Sequence, residues 1–142
     1  MTEDYVSFEI AKLLKEKGFN AELDMVYSEY GELHRIFDKE YYDSTNQFAT
    51  ITNSNYNDIT KYKYDFFVVA PTLQMAMKYL RNIHKLCISI TPQVTDNDGD
   101  GGCLWEFTIT KRLKPLYASL VLYESYGGAC EDAIKYCLEN LI

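Results

Sequence analysis

The sequence predicts an α+β fold: an antiparallel sheet with about three helices packed on one face. Three observations lead there. Apolar residues recur at helical spacing in three separate stretches, 3–17, 72–85 and 129–141. Between them lie segments that alternate apolar and polar residues, the mark of half-buried strands. After residue 71 the order of these stretches is α-β-β-β-α.

In chain order, residues 3–17 carry Val6, Ile10, Leu13 and Leu14 as one stripe, with Glu3, Asp4 and Glu9 early and Lys12, Lys15 and Lys17 late. That charge order suits the helix dipole, and Gly18 is placed to end the helix in a left-handed conformation. Residues 19–27 alternate as a strand, 28–32 read as a hairpin turn, and 33–37 as the return strand. Residues 38–61 are rich in Asn, Asp and Tyr around a short β-favouring piece at 48–51. A connection of that length inside a domain points to function or mobility. Residues 61–69 return to strand character.

The most regular helical pattern follows. Leu73, Ala76, Met77, Leu80 and Ile83 form its stripe, and Pro71 or Thr72 starts it. Leu86, Ile88, Ile90 and Val94 then alternate with polar residues, Pro92 marking an edge or a bulge. A second strand follows with Cys103, Trp105, Phe107 and Ile109 on one side. Residues 111–116 read as a turn and 117–123 as a third strand. Gly127-Gly128 breaks the chain before a last helix with Cys130, Ala133, Ile134, Cys137, Leu138 and Leu141 inward.

The 142 residues suit a single domain, 1–142, and 47% hydrophobic content supports a packed core. No apolar run approaches the ~20 residues of a membrane span, and the acidic start does not read as a secretory signal. A cytoplasmic protein with no membrane partner is expected. Its four cysteines would then stay reduced, Cys130 and Cys137 as core residues. A net charge of −7 and scattered basic residues argue against nucleic acid. Residues 1–71 hold seven Lys/Arg against thirteen Asp/Glu, and 72–142 hold seven against eight.

No stretch carries a catalytic signature, so no enzyme activity and no cofactor are expected. His34 and His84 lack the neighbours of a nucleophile–base pair. Asp96-Asn97-Asp98-Gly99-Asp100-Gly101 matches the first half of a calcium loop, making Asp96, Asp98 and Asp100 the candidate metal ligands. Phe107 stands where the loop needs a bidentate Glu, so weak calcium binding is the most it promises, and a solvated acidic turn is the simpler reading. The 13 tyrosines offer the other candidate site. Tyr41, Tyr42, Tyr56, Tyr62 and Tyr64 crowd the least regular segment, and tyrosine gives rigid amphipathic contact area.

Two resemblances add to this reading. Helix, three strands and helix over 72–142 is similar in order to a double-stranded RNA-binding domain, but Ala129-Cys130-Glu131-Asp132 would put acid where such domains place basic residues. Ala70-Pro71-Thr72-Leu73-Gln74-Met75-Ala76-Met77-Lys78-Tyr79-Leu80-Arg81, with residues 1–19 and 129–142, resembles small uncharacterised proteins of gut Bacteroidales genomes and their phages. That resemblance implies a mobile-element setting and brings no activity or binding residue with it. The expected function is that of a non-enzymatic cytosolic domain that binds a protein partner or itself as a homo-oligomer. The alternative is a nucleic-acid-associated module with a degenerate double-stranded-RNA-binding-like half.

Overall fold

The computed structural model describes residues 4–35, 67–94 and 102–142. They form an α+β arrangement of three α-helices and two three-stranded antiparallel sheets. The chain divides into two compact units, residues 5–71 and residues 72–142 with 1–4.

In the first unit, α1 (Phe8–Glu16) starts later than its charge pattern predicts. Ser7 fixes that start, its side chain accepting a hydrogen bond from the Ile10 amide at 3.3 Å. The C-terminus is closed as foreseen. Gly18 takes φ +90°, its amide bonds to Lys15 O at 3.1 Å, and the Phe19 amide bonds to Leu14 O at 2.9 Å. Those two bonds form a Schellman motif, and buried Phe19 and Leu14 supply its apolar contact.

The strand expected over 19–27 is shorter in the structure, β1 (Met25–Ser28). It pairs with β2 (Leu33–Arg35) and β3 (Phe67–Val69), in the order β2-β1-β3. Alternation shows which residues can face a core, but partners decide which ones join a ladder. The β1–β2 turn is held by Ser28, whose Oγ accepts from the amides of Tyr30 and Glu32, each at 3.3 Å. Gly31 supplies the positive φ.

In the second unit, α2 (Leu73–His84) is capped by Thr72, whose Oγ1 accepts from the Met75 amide at 3.2 Å. Leu73, Ala76, Met77 and Leu80 are buried. Ile83 is not: it sits at the edge of the stripe in the last turn and is 64% exposed. Lys85 ends the helix in the left-handed region, at φ 60°.

β4 (Leu86–Val94), β5 (Cys103–Lys111) and β6 (Lys114–Ala118) follow in sheet order β4-β5-β6. Pro92 therefore lies on an edge strand, as its missing donor requires. α2 packs on β4, and α3 (Tyr126–Tyr136) packs on β4, β5 and α2. The expected α-β-β-β-α order is observed. A π-helical turn, Cys137–Leu141, extends α3.

Two boundaries differ from expectation here. The turn is not 111–116 but Arg112-Leu113 alone, with Lys111 and Lys114 paired across it. Both turn residues have positive φ, 51° and 67°, the geometry a two-residue hairpin favours. Asn-Gly would announce such a turn; Arg-Leu does not. The last helix starts at Tyr126, so Gly127-Gly128 lie inside its first turn. Ser125 caps it by accepting from the Gly128 amide at 2.9 Å. Glycine is penalised chiefly in helix interiors, and these two stand at the helix start. Glu131 and Asp132 consequently fall in the second turn, not the first.

Leu80 has no exposed surface. Leu80→Ala is expected to destabilise the protein by ~2–5 kcal/mol in urea unfolding, and a loss below about half a kilocalorie would remove this residue from the core.

Candidate interaction surface

The residues of β5 that face α3 grade from buried to open. Ile109 and Phe107 are buried, Trp105 is half-buried and Cys103 is exposed. Around this gradient the unit gathers its aromatic side chains. The Tyr126 ring meets Trp105 edge-on, with centroids 5.3 Å apart, and its hydroxyl accepts a hydrogen bond from Gln74 Nε2 at 3.2 Å. Phe107 lies between Tyr117 and Tyr123, each at 5.9 Å. Tyr117 stacks on Tyr136 at 3.7 Å with planes 13° apart. Tyr117, Tyr123 and Tyr136 are each half-buried, and Tyr126 is exposed along one side.

The chain between β6 and α3 explains how an apolar surface borders these rings. Thr108 pairs with Ala118, so an unbroken ladder would set Val121 opposite Trp105. Tyr123 stands there instead, exchanging two backbone hydrogen bonds of 2.8 Å with Trp105. Two surplus residues are thus accommodated between Ser119 and Tyr123. Ser119 anchors the near side, its Oγ accepting from the Phe107 amide at 3.1 Å. Leu120, Val121 and Leu122 are extruded, and Leu120 is 88% exposed. This corrects the strand expected over 117–123. Three consecutive apolar residues cannot alternate, and that break in period was the available signal.

Titration is tuned here by burial. Desolvation pushes the Tyr123 hydroxyl up to about 12, with its hydrogen bond to Asp132 and that carboxylate's charge acting in the same direction. Burial likewise raises the thiols of Cys130 to about 11 and Cys137 to about 12. Both are fully buried core residues, as their spacing suggests, and such thiols are poor nucleophiles. Cys87 and Cys103 are exposed.

Tyr41, Tyr42, Tyr56, Tyr62 and Tyr64 fall outside the described residues, as do Asp96, Asp98 and Asp100. His34 sits in β2 beside Glu32 at 3.4 Å, and His84 Nε2 is 3.0 Å from Tyr79 Oη. Among the described residues no three His, Cys, Asp or Glu side chains are grouped to hold a metal ion. No described helix is long and apolar enough to cross a membrane. No family model, no curated protein and no solved structure matches the chain.

The raised values fix a pH dependence. The unfolded chain ionises its thiols near pH 9 and its tyrosines near pH 10, while Cys130, Cys137 and Tyr123 hold their protons to higher pH in the fold. The unfolded state then binds fewer protons, so stability falls as pH rises from about 9 to 12. Tyr123→Phe should shallow the part of that fall above pH 10, and thermal melts recorded between pH 8 and pH 11.5 measure it.

Proposed function

We propose that the chain is a non-enzymatic, cytosolic protein-binding domain whose contact surface is the aromatic flank of α3 with the extruded Leu120-Val121-Leu122. One observation carries this reading. The ladder register places three aliphatic side chains in solvent beside half-buried Trp105 and Tyr123 and exposed Tyr126. Exposed apolar residues grouped beside aromatics are the composition of an interface core, and leaving them wet costs solubility without helping the fold. The rings are also held in place by stacking and by the Gln74 hydrogen bond, so docking on them would cost little side-chain entropy. Self-association is the simplest form of such binding, because the surface is its own apolar complement. A mobile-element setting is compatible with a small domain that acts through a partner.

Leu120→Ser combined with Leu122→Ser should leave the melting temperature within a few degrees, since neither side chain is buried. The same pair of changes should shift sedimentation toward the monomer, or abolish binding to a purified partner where the wild type is monomeric. Loss of folding in the double variant would make these residues part of the core and remove the basis of the proposal.

A further inference from the structure

We propose that one end of the 72–142 unit, formed by the last turns of α2 and the β5–β6 hairpin tip, docks the phosphate backbone of a nucleic-acid duplex, with Leu113 as its apolar tip. This stands independently of the aromatic surface. Six of the seven Lys/Arg in residues 72–142 belong to α2, its cap and this hairpin: Lys78, Arg81, Lys85, Lys111, Arg112 and Lys114. The first three follow at i, i+3 and i+7 along one exposed face of α2, spanning ~10 Å. Lys85 leads directly into Leu86, whose ladder partner is Lys111, and Lys111 in turn pairs with Lys114. Each step between strands is ~5 Å, so the six cations line about 20 Å of surface.

No ion pair neutralises any of the six among the described residues. Lys85 Nζ donates only to the carbonyl of Asn82, at 2.8 Å. Three described acidic groups of the same unit are engaged elsewhere: Glu106 with Gln93, Asp132 near Tyr123 and Glu139 with Lys135. The net charge of −7 does not cancel this end. Screening confines each charge to ~8 Å at physiological salt, so an approaching backbone meets the nearby cations first.

The backbone points to the same place. Lys85, Arg112 and Leu113 are the three non-glycine residues with positive φ among those described, and all stand at this end. Leu113 is also 99% exposed. A leucine that is both strained and fully wet serves neither the turn nor the core, and such outliers collect at functional sites. A two-residue hairpin tip is narrow enough to enter a duplex groove, which is ~6 Å wide on the minor side and ~12 Å on the major. Apolar tips of this kind wedge at base steps while flanking Arg and Lys hold phosphates. A membrane surface is the poorer fit, because one leucine is too little apolar area for an interfacial anchor. A protein partner is better served by the aromatics along α3.

The full chain should bind fluorescent DNA or RNA duplexes in anisotropy titrations at low salt. With four to six phosphate contacts, the slope of log affinity against log salt should be about −3.6 to −5.4. Arg112→Glu with Lys114→Glu should weaken binding at least about tenfold, and the neutral pair Arg112→Gln with Lys114→Gln should reduce the slope by ~2. Leu113→Gly should raise the melting temperature by relieving the strained φ, yet weaken binding ~2- to 5-fold. The DNA and RNA arms identify which duplex is preferred. Absence of duplex binding at low salt, full affinity in the charge variants, or tighter capture by phosphatidylserine vesicles or polyglutamate would each overturn the site. Unchanged affinity in Leu113→Gly would overturn the role of the tip.

Discussion

Burial of Phe107 and Ile109 beneath α3 is the constraint on which the 72–142 unit depends. β5 is its central strand, paired along its whole length with β4 and over its second half with β6. Each of the two side chains contributes ~1.5–3 kcal/mol by leaving water, and together they fix which face of the sheet turns inward. A one-residue slip would send both to the solvent face and bring Glu106 and Thr108 under the helix. With register settled so firmly on β5, irregularities are displaced into β6. There the ladder shifts once between Ile109 and Thr110 and again between Ser119 and Tyr123. The second shift creates the extruded aliphatic segment, so core packing and the candidate surface have one origin.

Helix direction organises the charges. Gln74 reaches Tyr126, so the N-termini of α2 and α3 lie together. Glu124 precedes the Ser125 cap of α3, where the helix dipole favours acid, while Glu131 and Asp132 lie a turn further in. Arg81, His84 and Lys85 occupy the last turn and cap of α2, where it favours cations. Dipole compensation therefore accounts for part of the basic end. It does not account for Lys111, Arg112 and Lys114, which belong to a hairpin and face no helix terminus of their own.

Much of this unit was legible in its residues. The alternation in 86–94 and 103–110 located both long strands, Thr72 was one of two starts the residues offered for α2, and the left-handed stop at Gly18 was legible in the other unit. What escaped reading was set by partners. Arg112-Leu113 carries none of the Asn or Gly chemistry that announces a two-residue turn, so Lys111 to Leu116 looked like one long loop. Gly127-Gly128 looked like a break because glycine is penalised in helix interiors, whereas Ser125 makes them first-turn residues. Leu120, Val121 and Leu122 looked like strand because each is β-favouring or apolar, and only the pairing of Tyr123 with Trp105 shows them expelled. The basic residues looked scattered because 78–85 and 111–114 are distant in sequence. Register alone joins them, through Leu86 and Lys111.

The two surfaces differ in how the fold holds them, and that difference bears on what each can do. The aromatic flank is rigid: its rings pack on one another, and the Tyr126 hydroxyl is tied to Gln74. A rigid apolar surface selects by shape, and its affinity depends on how fully a partner excludes water. The hairpin tip is the reverse, with long cationic side chains that form no ion pair among the described residues, on a two-residue turn whose residues both hold positive φ. Flexible cations on a fixed loop select by charge and spacing, tolerate sequence variation in the partner, and lose affinity steeply with salt. A protein contact on the first surface and a phosphate contact on the second would therefore answer to different conditions, one to pH and apolar area, the other to ionic strength. Because α3 and the hairpin both hang on β5, the two contacts would sit at a fixed separation on one small unit, which is the arrangement a molecular bridge requires.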